Sequence, residues 1–215
     1  MNSIRRTVRD AAIGVEMVDD PAALGMCLQP GCAAAIWRRQ TPPDVQSWLD
    51  GIDGEALPRA RVVLPRHAVG EVVQQLFDMA NLTDGAERAW LQQDIIGLAD
   101  ILSDLMNARY LRLRLDVVTT NGCRKFHIDV ATARLVCTYR GTGTQYGVSS
   151  DGDDPRRVFT VQTGAPILLR GTLPPTAPPS PLLHPSPPTD GTGQPRSPPL
   201  RRPAAAPYPA TRRHT

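Results

Sequence analysis

The residues best suited to chemistry in this sequence are His127 and Asp129, in the run Phe126-His127-Ile128-Asp129. In a β-strand, side chains two residues apart point to the same face, so the imidazole and the carboxylate would lie side by side, with Phe126 and Ile128 on the opposite face. A neutral imidazole and an ionised carboxylate are both ligands of divalent metal ions. The spacing therefore predicts a metal site.

One more histidine would complete the set of two histidines and one carboxylate that non-haem iron oxygenases use, which leaves positions open for oxygen and substrate. The other histidines are His67, His184 and His214. His184 follows several predicted strands, so a strand that carries it could return beside the strand of His127. We therefore take His184 as the third candidate ligand.

The same motif also has a structural interpretation. A His-x-Asp motif is only three residues long, and a surface histidine that pairs with a neighbouring aspartate has the same sequence. The motif alone leaves both interpretations open.

The four cysteines suggest a different metal chemistry. Cys27 and Cys32 are separated by four residues, and Cys123 lies four residues before His127, which are spacings that a structural zinc site tolerates. There is no Cys-x-x-Cys pair, and Cys137 lies in an apolar run that favours a buried free thiol. The alternatives for the cysteines are therefore zinc ligation and free thiols.

The predicted helices lie in the first half of the chain. Residues 32–37 indicate a short buried strand, and a short helix starts at residues 41–44. The glycines and prolines of residues 50–65 indicate a loop. Apolar residues then recur at steps of three and four over residues 69–80 and again over 84–105, which predicts two amphipathic helices.

Strands are predicted from residue 111 onward. Leu111, Leu113, Leu115 and Val117 alternate with charged residues, which is the period of a half-buried strand. Further strand candidates are residues 125–130, 134–139, 158–161 and 166–170, with a hairpin turn at 140–144. Helices followed by short antiparallel strands predict an α+β fold, with a helical layer and a small antiparallel β-barrel.

Composition divides the chain into three parts. We predict an N-terminal βα extension at residues 1–64 that packs on the main domain, an α+β domain at residues 65–173, and a largely disordered tail at residues 174–215 that carries the distal histidine. Of the 22 prolines, 14 lie in this tail, which has no sustained apolar run and so cannot bury a core of its own.

Charge and hydropathy narrow the class of protein. The net charge of +3 comes from arginines in the tail, which do not alternate with aromatic residues as those of single-strand binders do, so nucleic-acid binding is not expected. The first 20 residues carry seven charged side chains, and no run of about 18 apolar residues occurs. We therefore expect neither a signal peptide nor a membrane span, and predict a cytoplasmic protein. The sequence names neither a substrate nor a protein partner.

Three runs of residues resemble the bacterial family known as domain of unknown function 1826. They are Cys-Arg-Lys-Phe-His-Ile-Asp at 123–129, Leu-Val-Cys-Thr-Tyr-Arg-Gly-Thr-Gly-Thr at 135–144, and Leu-His-Pro-Ser-Pro-Pro at 183–188, followed by Gly191-Thr-Gly193 and Arg196. The resemblance implies a spaced set of four residues, namely His127, Asp129, His184 and Arg196. Their order is similar to that of the iron and 2-oxoglutarate oxygenases.

In those oxygenases an arginine after the distal histidine binds the carboxylate of the co-substrate, and a planar guanidinium is suited to two-point binding of a carboxylate. Arg196 has this position in the resemblance, and Arg140 or Arg134 could take the role instead. The chain departs from the family pattern at Pro185, where the family has an arginine, and at residues 197–203, where it has an apolar strand. An altered reading frame near Arg196 is therefore a further hypothesis.

Two main hypotheses about function follow. In the first, the protein is an oxidoreductase with a cupin-like double-stranded β-helix, in which His127, Asp129 and His184 bind Fe(II) and Arg196 or Arg140 holds 2-oxoglutarate. In the second, it is a non-catalytic zinc-binding or metal-handling protein that also uses cysteine thiolates, which prefer zinc. A third hypothesis is a packing scaffold for a protein partner, with no bound metal.

Overall fold

The computed structural model of the 215-residue chain describes residues 14–118, 126–149, 154–173 and 182–185. Two of the predicted site residues, Cys123 and Arg196, lie outside these ranges, as do the start of the chain and most of the proline-rich tail. The predictions made for those residues stay predictions.

The described α-helices are α1 (Pro43–Gly51), α2 (Val69–Met79) and α3 (Ala86–Met106), and 3-10 turns occupy Pro21–Leu28, Gly54–Ala56 and Arg66–Ala68. Helix α2 buries Val69, Val73 and Phe77 at steps of four, as its sequence period predicts. Helix α3 ends where Asn107 adopts a left-handed conformation, with φ of 47°. Even α3, at 21 residues, lacks the sustained apolar character that a membrane span needs, and the same is true of the other described helices.

The described strands are β1 (Val15–Val18), β2 (Ala34–Trp37), β3 (Ala60–Pro65), β4 (Tyr110–Leu115), β5 (Ala133–Cys137), β6 (Gln145–Val148), β7 (Val158–Thr160), β8 (Pro166–Arg170) and β9 (Leu182–Leu183). They form three sheets, with strand orders β1-β2-β8-β5, β3-β4 and β7-β6-β9. All pairs are antiparallel except β1 with β2.

The β3-β4 sheet packs on the helices. Val62 and Leu64 of β3, together with Leu111 and Leu113 of β4, join the buried side chains of α2 and α3 in one apolar cluster around Phe77. The alternation predicted for residues 111–117 is therefore confirmed over β4. The loop predicted for residues 50–65 is wrong at its end, because β3 there is held by its pairing with β4, a long-range contact that glycine and proline content does not reveal.

The chain alternates between the other two sheets after residue 133. Strand β5 lies in the four-stranded sheet, β6 and β7 lie in the three-stranded sheet, β8 returns to the first sheet and β9 to the second. A second apolar cluster includes Ile36 and Ile167 from the first sheet and Leu182 from β9. The class is thus mixed α+β, as predicted, and the described strands do not close into a barrel.

The predicted N-terminal extension contributes strands to the same sheet as the predicted main domain, since β2 pairs with β8. The domain boundary at residue 64 stays a prediction. Three short strands, β1, β6 and β9, were not predicted, and the candidate strand at 125–130 is represented, among the described residues, only by a bridge at His127.

A buried polar network joins the helices to the first sheet. The guanidinium of Arg39, just after β2, forms a two-point ion pair with Asp94 of α3, and its Nε donates to the carbonyl of Gly164 at 3.0 Å. The Tyr139 hydroxyl donates to Asp94 Oδ2 at 2.6 Å. The side chains of Arg39 and Asp94 are only 15% and 10% exposed, so each charge depends on the other for its compensation.

We expect Asp94→Ala to lower the free energy of unfolding by about 3–5 kcal/mol, because it leaves the buried guanidinium of Arg39 without its counter-charge. Asp100→Ala, which removes one carboxylate from the exposed ion pairs of Arg66, should lower it far less, because solvent screens both partners. Urea unfolding followed by circular dichroism measures both changes. Equal losses in the two variants would contradict the role given to the network.

Candidate functional site

His127 and His184 lie directly opposite each other on neighbouring segments. They form an antiparallel bridge in which the amide of His127 donates to the carbonyl of His184 at 3.2 Å and the amide of His184 donates back at 3.0 Å. Side chains of such a pair extend on the same side of the sheet. The ring centroids are accordingly 4.7 Å apart.

The carboxylate of Asp129 lies against both imidazoles. Its Oδ2 accepts a hydrogen bond of 3.0 Å from Nε2 of His184, and its Oδ1 is 3.9 Å from Nε2 of His127. The potential ligand atoms of the three side chains lie within 4.8 Å of one another. Among the residues that the structure describes, this is the one group of three or more His, Cys, Asp or Glu side chains close enough to share an ion.

Arg134 is the fourth member of the cluster. Its Nη1 lies 3.2 Å from each of the two carboxylate oxygens of Asp129. The hydrogen bond from His184, helped by the positive charge of Arg134, lowers the pKa of Asp129 to about 2, although partial burial opposes the shift. Asp129 is therefore ionised at neutral pH.

The backbone around Asp129 is held by residues 171–173, which directly follow β8. The amide of Thr172 donates to the carbonyl of Asp129 at 3.1 Å, and the amides of Gly171 and Leu173 donate to Thr132 and Ala131, each at 3.0 Å. A Cβ on Gly171 would lie 1.9 Å from the carbonyl oxygen of Ala131, so a side chain does not fit there. These contacts between residues 171–173 and residues 129–132 fix the backbone from which the Asp129 side chain extends.

The cluster is open on one side. The side chains of His127 and Arg134 are 41% and 36% exposed, whereas those of Asp129 and His184 are 20% and 6% exposed. A ligand that comes from the solvent would therefore meet His127 and Arg134 first.

Arg140, the other predicted co-substrate residue within the described ranges, has different surroundings. Its Nη1 donates to the carbonyl of Ile52 at 2.6 Å, and its Nε lies 4.0 Å from Asp50 at the end of α1. Arg134 is the second residue of β5, whereas Arg140 lies three residues beyond the end of that strand, and the contacts of Arg140 give no support to it as part of the cluster.

The described cysteines do not join the cluster either. Cys27, Cys32 and Cys137 are free thiols, and Cys123 is outside the described residues. Burial raises the pKa of Cys27 to about 12 and that of Cys137 to about 11. None of these three thiols belongs to a group of three or more potential metal ligands among the described residues.

Sequence reasoning missed two features of the site. The sequence suggested Arg134 only as a substitute for Arg196, and its ion pair with Asp129 was not predicted. The spacing of five residues across a turn could have indicated this pair. Sequence reasoning also missed the contact of Gly171 with Ala131, for which the sequence offers no signal beyond a glycine directly after a strand.

Fold and cluster together define a mixed α+β protein with a His/Asp/His group at the junction of two sheets. The chain belongs to the family described as protein of unknown function, DUF1826, whose model matches residues 18–197. The match spans His127, Asp129, His184 and Arg196, and it agrees with the resemblance found in the sequence. Neither a curated protein nor a solved structure matches the chain.

We expect Gly171→Ala to displace residues 129–132 and to lower the free energy of unfolding by about 1–3 kcal/mol, because the new methyl group overlaps a backbone carbonyl. Gly97→Ala in α3 is the matched control, since a Cβ there meets no atom within 4 Å and alanine favours a helix by about 1 kcal/mol. Urea unfolding measures stability, and amide NMR shifts of His127 and Asp129 report the site. Unchanged amide shifts of His127 and Asp129 in Gly171→Ala would contradict the role of residues 171–173 in positioning the site.

The raised pKa values of two thiols lead to a chemical prediction. At pH 8, iodoacetamide should alkylate Cys27 and Cys137 at least roughly 100-fold more slowly in the folded protein than in urea, because their raised pKa values leave little thiolate. Peptide mapping by mass spectrometry distinguishes these sites from Cys32 and Cys123. Equal rates in the folded and unfolded chain would show that the two thiols are accessible and ionisable.

Proposed function

We propose that this protein is a metal-dependent oxidoreductase of the non-haem iron and 2-oxoglutarate type, with His127, Asp129 and His184 as the ligands of the metal. The observation that carries the proposal is the convergence of two imidazoles and one carboxylate, from segments 55 residues apart, within 4.8 Å. Two histidines and one carboxylate, with an open side, are the donor set that such iron sites use.

The spacing of the donor atoms supports the proposal. Metal bonds of about 2.1 Å place neighbouring ligand atoms about 3 Å apart in octahedral geometry. The pair His184 Nε2 and Asp129 Oδ2 has this separation, at 3.0 Å. His127 Nε2 lies 3.9 Å from the other carboxylate oxygen, Asp129 Oδ1, so the side-chain torsions of His127 would have to change for it to share the ion, and its 41% exposure allows that change.

The strand arrangement also supports the oxygenase type. Chain alternation between two antiparallel sheets is the principle of double-sheet jelly rolls, to which the cupin-like double-stranded β-helix belongs. Here β5 and β8 are neighbours in one sheet, while β6, β7 and β9 are neighbours in the other. The cluster lies where β9 and residues 126–129 meet, at the second sheet.

In this proposal each residue of the cluster has a separate task. Bound iron would supply the one-electron chemistry with O2 that amino-acid side chains lack. His184, the most buried member, and His127 would hold the ion through neutral imidazole nitrogens, and Asp129 would contribute negative charge because it is ionised at neutral pH. Arg134 would keep the carboxylate in one orientation, as residues around metal ligands commonly do.

The non-catalytic zinc alternative, as the sequence suggests it, adds cysteine thiolates to His127 and Asp129. Among the described residues, no cysteine belongs to the cluster, and the only cysteine near His127 in sequence, Cys123, lies outside them. The same two histidines and Asp129 could hold zinc without thiolates, so metal analysis and turnover must be measured together.

We expect the full-length protein, loaded with Fe(II) without oxygen, to bind one metal ion, and His127→Ala and His184→Ala to lose at least about 100-fold in metal affinity. His67→Ala, which removes an exposed histidine from another part of the structure, should bind as the wild type does. On addition of oxygen and ascorbate, the loaded wild type should convert 2-oxoglutarate and O2 to succinate and CO2, with the second oxygen atom delivered to a substrate or reduced to water by ascorbate.

Two results would overturn this proposal. Equal metal affinity in the wild type and in both variants, His127→Ala and His184→Ala, would show that these histidines are not ligands of the metal. A protein that retains zinc through chelation, loses it in Cys123→Ser, and forms no succinate when loaded with iron would instead favour the metal-handling alternative.

A further inference from the structure

We propose that a row of side chains leading away from the cluster, formed by Tyr146, Phe159 and Arg157, binds the primary substrate, and that this substrate is an apolar molecule with one anionic end. The assignment rests on the proposed function, because it takes the cluster as the place of reaction. It goes further by naming the class of the molecule that is oxidised, as distinct from the co-substrate.

Strand register places the row on the same face of the sheet as the cluster. Strands β6 and β9 are antiparallel, and Gly147 pairs with Leu183. Continued by one residue, this register sets Tyr146 opposite His184. On the other side of β6, Tyr146 pairs with Phe159 of β7. Residues directly opposite each other extend to the same side of a sheet, so the imidazole and the two aromatic rings lie in one line.

The side chains of the row also contact one another. The rings of Tyr146 and Phe159 are stacked, with their centroids 5.4 Å apart and an angle of 20° between their planes. The guanidinium of Arg157 lies over the ring of Phe159, 4.8 Å from its centroid. Tyr146 packs on the second apolar cluster, that of Ile36 and Ile167, which holds the inner end of the row in place.

The outer end of the row indicates the chemistry of its ligand. Phe159 is 39% exposed, and a ligand that covers this ring with apolar surface gains free energy by removing both surfaces from water. Arg157 is exposed and has no ion pair among the described residues, so its charge is available to an anion. Apolar surface next to the cluster and a cation at the far end fit a molecule with an apolar body and one anionic end.

Strand spacing sets the orientation and the length of this molecule. Neighbouring strands lie about 4.8 Å apart, so the two strand spacings between His184 and Phe159 amount to about 10 Å. An anionic group bound by Arg157, beside Phe159, would therefore lie on the order of 10 Å from the metal, which is too far for ligation. A ligand in this position presents its apolar end to the cluster, where the reaction would take place.

The first test measures affinity by isothermal titration calorimetry on the metal-free full chain. We expect 4-phenylbutyrate to bind at least about 10-fold more tightly than butyrate, which lacks the ring, and at least about 3-fold more tightly than 4-phenylbutyramide, which lacks the charge. Phe159→Ala should remove most of the first preference, and Arg157→Gln should remove the second. Val158→Ala, the exposed neighbour on the opposite face of β7, and Arg156→Gln, next to Arg157, are the matched controls and should have no effect.

The second test locates the bound molecule relative to the cluster. Co(II) loaded into the full chain broadens the proton NMR signals of a ligand, and the effect increases as the proton comes closer to the ion. We expect the phenyl protons of 4-phenylbutyrate to broaden more than the methylene protons beside its carboxylate, with the Zn(II)-loaded protein as the diamagnetic control. Stronger broadening beside the carboxylate would show that the anionic group binds at the metal, and would overturn the assignment.

The outcomes separate this inference from the proposed function. Failure of the wild type to bind cobalt would overturn the proposed function, whereas the affinities of the metal-free protein would still decide whether the row binds such a molecule. Equal affinity for 4-phenylbutyrate and butyrate, or a preference unchanged in Phe159→Ala, would overturn the role of the aromatic rings. Equal affinity for the acid and its amide, or a preference unchanged in Arg157→Gln, would overturn the assignment of an anionic end.

Discussion

The site depends on one pair of backbone hydrogen bonds, between residue 127 and residue 184. Each of the two residues donates its amide and accepts through its carbonyl, so their relative position is fixed by backbone and not by side chains. The short strand β9 carries this pairing, because Leu182 and Leu183 are held in turn by β6. A chain segment of only four described residues thus determines where the second imidazole lies.

The carboxylate of Asp129 is positioned by contacts with the four-stranded sheet, β1-β2-β8-β5. Strand β8 belongs to the sheet of β2 and β5, and Thr172, two residues beyond its end, donates to the carbonyl of Asp129. The distance between His184 and Asp129 is therefore a measure of how the two sheets are placed relative to each other. The network of Arg39 and Asp94 then joins the first sheet to α3, so the helical layer contributes to that placement at a distance from the cluster.

The period of apolar residues predicted α2, α3 and β4, because each of them buries a regular row of apolar side chains on one face. Such a row is long enough to be recognised in the sequence. The same period missed β1, β6 and β9, which have four residues or fewer, and β3, whose position depends on pairing with β4. The convergence of His127, Asp129 and His184 was predicted from spacing and from a resemblance. The ion pair of Arg134 and the fit of Gly171 against Ala131 were not, because both depend on how a turn and a strand end meet in space.

The backbone at His127, Asp129 and His184 is held in place by hydrogen bonds within the protein, and none of these bonds needs a metal ion. An ion proposed to bind here would therefore meet a preformed site, in contrast to small zinc domains whose folding free energy comes from the metal. Its binding would require a change in the torsions of His127 and replacement of the hydrogen bond between His184 and Asp129. Because His184 and Arg134 keep Asp129 ionised, no proton has to leave the carboxylate at neutral pH. The main electrostatic cost of binding an ion would then be its repulsion from the positive charge of Arg134.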